Sequence, residues 1–119
     1  MSPTIVLKDG KPFLSIGAAG GPTIISQTLQ NLVNILDLKM SVGEAIAASR
    51  LHQQWSPDEL KIEKKFGDDL LNDLKQRGHT LSIQSKTGIG VSQGVMWDAA
   101  AQCFHAAHDP RAPGKADGW

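Results

Sequence analysis

"TIVLKDGKPFLSIGAAGGPTII", residues 4–25, decides the architecture of the chain. Two β-prone runs, residues 4–7 and 13–16, flank the pair Asp9-Gly10. An Asp-Gly pair between apolar runs favours a type I′ turn, because both central positions need φ > 0. The stretch therefore reads as a β-hairpin. Its second strand runs into "GAAGG", Gly17 to Gly21, and then Pro22, which fits a first helical position where no N–H is needed. Strand, glycine turn and helix start follow one another directly. Such a turn has two readings. It is a plain tight connection, or it is a place where unpaired N–H groups and the positive end of a helix dipole face an anion or a developing oxyanion. Gly20 and Gly21 carry no Cβ, so a substrate can approach their N–H groups closely. The pattern is neither G-x-G-x-x-G nor a P-loop, and no Lys follows to hold a phosphate.

Beyond the turn, Ile25, Leu29, Leu32 and Leu36 recur at helical spacing, and Ile24, Val33 and Ile35 widen that face. A deeply packed helix with this face inward is expected. Ser41 and Glu44 form a capping box that opens a second helix reaching about Ser49. Residues 51–60, "LHQQWSPDEL", read as a loop turning at Ser56-Pro57-Asp58, and "LKIEK" as a short strand. A third helix starts at Gly67 or Asp68, turns Leu70, Leu71 and Leu74 inward, and stops at Gly78. "HTLSIQS" alternates as a strand. Two more strands follow around a Trp97-Asp98 turn. Residues 110–119 have no periodicity and are either a mobile end or an extended segment laid over the fold. The order ββ-αα-β-α-βββ makes this an α+β chain, with residues 1–119 as a single domain.

Composition narrows the function classes. Lys plus Arg and Asp plus Glu number 12 each, so the net charge is zero. No basic stripe exists for nucleic acid to follow. No apolar stretch approaches the roughly 20 residues of a membrane span, and the first residues have neither the basic nor the apolar region of a secretory signal. The single cysteine, Cys103, is expected in the core.

Few side-chain groups suggest chemistry. "KTG", residues 86–88, matches one element of serine β-lactamases, but the S-x-x-K partner is absent and the match reads as coincidence. His105 and His108 are three apart on a strand and face opposite sides, which is poor for two metal ligands. Neither a metal nor any other cofactor is expected. The pairs Asp58-Glu59 and Asp68-Asp69 fit turns and helix starts, where they complement the dipole. Trp55 reads as a packing anchor. No Ser, Thr or Cys sits in a recognisable nucleophile elbow.

Four segments in this order carry a further signal: "MSPTIVLKDGKPFLSIGAAGG" (1–21), "EAIAASRLHQQWSPDEL" (44–60), "LLNDLKQRGHTL" (70–81) and "HDPRAPGKADGW" (108–119). Together they resemble the C-terminal part of the small subunit of gamma-glutamyltransferases, over essentially the whole chain. The resemblance implies an N-terminal-nucleophile hydrolase fold, with two stacked β-sheets between helical layers. It implies transfer of the γ-glutamyl group of glutathione, or of a similar γ-glutamyl compound, from a Thr nucleophile to an amine or to water. Gly20 and Gly21 would then form the oxyanion hole and touch the substrate. The family's catalytic Thr, and the Ser-Ser pair that holds the substrate α-carboxylate, precede the matched region. The chain is therefore expected to be inactive alone and to need the remaining portion of the enzyme as a partner. The family is mostly periplasmic or secreted. "GAAGGPTI" replaces the usual G-S-P-G-G-S-R-I, so Pro22 and Thr23 stand where Ser and Arg are common. The alternative expectation is a non-catalytic remnant that self-associates or binds a partner.

Overall fold

The computed structural model describes residues 3–84 and 88–118. Met1, Ser2, Trp119, and Lys86 and Thr87 of the KTG motif lie outside the described residues. The hairpin forms as the Asp-Gly pair requires. β1 (Thr4–Lys8) and β2 (Lys11–Ala19) pair antiparallel. Asp9 and Gly10 sit at φ 53° and 74°, the left-handed values of a type I′ turn.

β2 is longer than its β-prone run. Gly17, Ala18 and Ala19 stay in the ladder because they pair with Gln93, Ser92 and Val91 of β6 (Val91–Asp98). Only Gly20 and Gly21 make the turn. Cross-strand pairing overrides the weak strand preference of Gly and Ala. β7 (Cys103–His108) completes a four-stranded antiparallel sheet of order β1-β2-β6-β7. The β6–β7 turn lies at residues 99–102, not at Trp97-Asp98. Both of those residues stay in the ladder, opposite Phe104 and Cys103, and the Asp98 carboxylate accepts the Ala100 and Ala101 N–H groups to close the turn.

α1 (Thr23–Leu36) and α2 (Val42–Ala47) cover one face of this sheet. Ser41 and Glu44 form the expected capping box. Leu14 and Ile16 of β2 pack against Ile35 of α1 and Val42, Ala45 and Ile46 of α2. A second, three-stranded sheet has the order β3-β4-β5. It contains β3 (Leu51–His52), a two-residue strand inside the stretch read as a loop. β4 (Leu60–Glu63) pairs parallel with β5 (Leu81–Gln84), and a 3₁₀ turn (Lys64–Phe66) and α3 (Asp68–Gln76) make the crossover. Gly78 at φ 92° ends α3 as expected. Asp68 and Asp69 occupy its first turn. Leu71 is buried, but Leu70 is exposed.

α1 departs most from expectation. Its buried face is polar, comprising Thr23, Gln27, Thr28 and Asn31 with Ile35. Its apolar stripe looks outward: Ile25 is 74% exposed, Leu29 59% and Val33 40%. The face expected to point inward is thus divided, with Ile35 buried and Leu32 packed against the core while Ile25, Leu29, Val33 and Leu36 look outward, because periodicity cannot say which side of a helix the rest of the chain covers. Ile5 and Leu7 on the edge strand are exposed as well. The radius of gyration, 15.3 Å, exceeds the roughly 13.5 Å of a compact globule of this length. Trp55 is no packing anchor: it is exposed, at φ 73°, beside a cis Ser56–Pro57 bond. Cys103 is exposed at the hairpin end rather than in the core.

Candidate functional site

The glycine turn lies between the end of β2 and the first turn of α1. Gly20 takes φ 146° and Gly21 φ 61°, which side chains rarely adopt. Both are exposed. In the hydrogen bonds of the turn the glycines act as acceptors. The Gly20 carbonyl accepts the Thr23 hydroxyl at 2.9 Å and the Thr23 N–H at 3.4 Å, and the Gly21 carbonyl accepts the Ile24 N–H at 3.2 Å. A Cβ on Gly20 would stand 2.6 Å from Thr23 Oγ1 and 2.9 Å from the Gly90 Cα, whereas one on Gly21 would meet nothing within 4 Å. Gly20 is thus required for close packing and Gly21 for its backbone angle. Pro22 caps α1 with no side-chain hydrogen bond.

Behind the turn lies a cluster of charged side chains that sequence reasoning missed. Arg50, Glu63, Asp109 and Arg111 are all buried. Arg50 Nη2 donates to Asp109 Oδ2 at 2.6 Å and to the Ile46 carbonyl at 2.8 Å. Arg111 grips Glu63 with two parallel bonds, Nε to Oε1 at 2.6 Å and Nη2 to Oε2 at 2.7 Å. It also donates to the carbonyls of Ile46 and Ala48 and to Asp109. Bidentate pairing of this kind satisfies buried charge that would otherwise be costly. The described part of the C-terminal segment, residues 110–118, is therefore anchored at Arg111.

The charges tune one another. Burial pushes the Asp109 carboxyl up, but the Arg111 and Ser92 N–H groups and the Arg50 charge outweigh it, and its pKa lies below the ordinary value. Burial and the neighbouring Arg111 lower the Arg50 pKa, against the pull of Asp109. Burial also acts to lower that of Arg111, but Glu63 outweighs it and the net shift is upward. Arg50, Asp109 and Arg111 lie in segments that carry the family resemblance, but nothing in the sequence shows that these charges, far apart in the chain, meet each other and Glu63.

Gln27 connects cluster and turn. Its Oε1 accepts from Arg50 Nη1 at 3.3 Å and from Ser92 Oγ at 3.1 Å. Its Nε2 donates to Thr23 Oγ1 at 2.9 Å and to the Ala19 carbonyl at 3.3 Å.

The other candidates stay apart from the turn. Ser26 Oγ and His52 Nδ1 lie 2.6 Å apart, but the other ring nitrogen is held by Gln54 at 2.9 Å and the imidazole is buried. This pair ties α1 to β3. His105 lies 3.5 Å from Asp98, and His108 contacts the Ala112 carbonyl. Among the described residues no group of three or more His, Cys, Asp or Glu can hold a metal ion. Asp58 accepts from Gln53 within its loop. Among the described residues no helix is long and apolar enough to cross a membrane.

An antiparallel sheet covered by helices on one face, with a glycine turn at a strand-to-helix junction, is one part of the α+β architecture expected of an N-terminal-nucleophile hydrolase. The comparisons with known proteins resolve the class further. The family model described as Gamma-glutamyltranspeptidase matches residues 1–119, and the chain belongs to that family. It is 43% identical over 111 residues to a glutathione hydrolase proenzyme of Escherichia coli, a match covering 93% of this chain and 19% of that protein. It is 36% identical over 120 residues to glutathione hydrolase 5 proenzyme of Rattus norvegicus, covering 100% of this chain and 21% of the relative. The gamma-glutamyltranspeptidase of Pseudomonas nitroreducens complexed with L-DON superposes with a TM-score of 0.90 at 30% identity, over 100% of this chain and 62% of that one. The chain thus spans about a fifth of the length of these curated relatives.

Proposed function

We propose that the chain supplies scaffold and an oxyanion-stabilising turn for γ-glutamyl transfer, with glutathione or a related γ-glutamyl amide as donor and a Thr nucleophile from outside these residues. The observation that carries this reading is the turn itself. The Ala19 and Gly20 carbonyls accept from Gln27 and Thr23 of α1, which supports a reading in which the Gly20 and Gly21 N–H groups, on the opposite side of those trans peptides, receive a tetrahedral oxyanion. Acyl transfer needs an activated nucleophile. On this reading the chain is silent alone and works only with the remaining portion of the enzyme. The test mixes it with a polypeptide carrying the upstream part of a gamma-glutamyltranspeptidase and follows release of a chromogenic γ-glutamyl anilide. Turnover in the mixture and in neither component alone is the expected result. A mixture that assembles without turnover would refute the reading.

The exposed stripe Ile25, Leu29 and Val33 favours a second reading, a binding domain without catalysis. On that account the chain self-associates or captures a partner whether or not a nucleophile is supplied. Sedimentation of the chain with and without the upstream polypeptide separates the two readings.

A further inference from the structure

The proposed oxyanion turn is built from two peptide groups, Ala19–Gly20 and Gly20–Gly21. Both are trans, since the cis bond among the described residues is Ser56–Pro57. In a trans peptide the carbonyl of one residue and the N–H of the next point in opposite directions. Fixing the Ala19 carbonyl therefore aims the Gly20 N–H, and fixing the Gly20 carbonyl aims the Gly21 N–H. Both carbonyls are held by side chains of α1. Gln27 Nε2 donates to the Ala19 carbonyl, and Thr23 Oγ1 donates to the Gly20 carbonyl.

The direction of these bonds is dictated chemically. Arg50 can only donate, so it takes the oxygen of the Gln27 carboxamide, as does the Ser92 hydroxyl. The Gln27 NH₂ must then face the turn, where Thr23 Oγ1 accepts one proton. That leaves the Thr23 hydroxyl proton for the Gly20 carbonyl. Gln27 is fully buried, Thr23 6% exposed and Arg50 2% exposed, so water competes little for any link. Gly90 seals the arrangement: a Cβ there would collide with the Ala19 carbonyl and with Gln27.

We infer that Thr23 and Gln27 are positioning residues for the oxyanion turn, locked by Arg50 and Ser92, and that they aim the Gly20 and Gly21 N–H groups at the substrate without touching it. The catalytic half of this inference rests on the proposed function; the orientation of the two peptide groups does not.

The test separates the two. In the full chain, ¹⁵N-labelled, the amide resonances and N–H residual dipolar couplings of Gly20 and Gly21 are compared in wild type, Thr23→Val, Thr23→Ser and Gln27→Met. Val and Met nearly match the originals in shape, and dispersion of the remaining spectrum checks folding. Both glycine amides are expected to move in T23V and Q27M and to return to wild-type positions in T23S, which keeps the hydroxyl. Glycine amides that stay in place in well-folded T23V and Q27M would overturn the positioning role. In the mixture with the upstream polypeptide, the same variants are expected to lower kcat about tenfold to a hundredfold, with KM within about twofold, and T23S to restore it. Should the wild-type mixture be silent, the proposed function fails while the amide measurement still decides the positioning. Moved amides with unchanged kcat would overturn the catalytic half of the inference and leave the orientation standing.

Discussion

Replacing Arg111 by Met tests the buried ion cluster most sharply. The substitution keeps an unbranched apolar stem and deletes five donated bonds: two to Glu63, one to Asp109, and one each to the carbonyls of Ile46 and Ala48. The Glu63 carboxylate, 5% exposed, keeps the Arg50 N–H at 3.1 Å but loses its cation. Removing one partner of a buried pair costs about 3–5 kcal/mol, because the other charge is stranded. That is a large share of the roughly 5–15 kcal/mol that holds a domain together. With a urea slope of about 2 kcal/mol per molar, the unfolding midpoint should fall by about 2 M. Equilibrium urea unfolding followed by tryptophan fluorescence reads this directly. Arg77→Met is the control. Its pair with Asp73 is an exposed i,i+4 contact, 69% and 49% accessible, and should be worth only about 0.3–0.5 kcal/mol. Adding Glu63→Gln to Arg111→Met should recover part of the loss by neutralising the stranded carboxylate. A midpoint shift for R111M no larger than that of R77M would refute the reasoning.

Four further outcomes follow from the same geometry. The depressed pKa of Asp109 means its ionised form stabilises the fold above the ordinary carboxylate range, and the contribution fades as pH falls below about 4 toward the folded value. The urea-midpoint gap between wild type and Asp109→Asn should therefore be wide at pH 7 and narrow at pH 3; an equal gap at both would contradict this. Ser41→Ala removes the cap of α2 and should cost about 1 kcal/mol by the same assay. Gly21→Ala meets open space but keeps a left-handed angle and should cost about 1–2 kcal/mol, whereas Gly20→Ala adds a collision and should cost more; the reverse order would be inconsistent with the turn described. Ile25→Glu with Leu29→Glu changes only exposed positions, so the chain should stay folded by circular dichroism. If these residues dock against the upstream polypeptide, about 3 kcal/mol of apolar burial disappears and affinity falls roughly a hundredfold.

Local chemistry made much of this structure legible. The Asp9-Gly10 hairpin, the Ser41–Glu44 capping box and the Gly78 stop depend on neighbouring residues, and all three form as read. Features set by distant partners were not legible. The polar face of α1 is buried because Gln27 must reach Arg50 and Ser92, residues 23 and 65 positions away along the chain. A helical periodicity cannot reveal that. Residue-type preference puts Trp55 and Cys103 inside, yet both are exposed, Trp55 in a bend and Cys103 at a hairpin end. At the candidate site the glycine turn was visible, but the side chains that hold it were not. In the sequence Thr23 is only a departure from the family pattern, and Gln27, Arg50, Asp109 and Arg111 are brought together only by the fold.

Replacing the Gly20–Gly21 amide by an ester is the most direct test of the central claim. It removes a single N–H, and unlike Gly21→Pro it does not oppose the φ of 61° found there. The modified chain, combined with the upstream polypeptide, is assayed for γ-glutamyl anilide turnover beside the all-amide chain. The account predicts assembly unchanged and kcat lower by about 10²–10³, the usual loss of one oxyanion donor. Equal turnover by the two chains would show that the Gly21 N–H carries none of the oxyanion charge, and would contradict it.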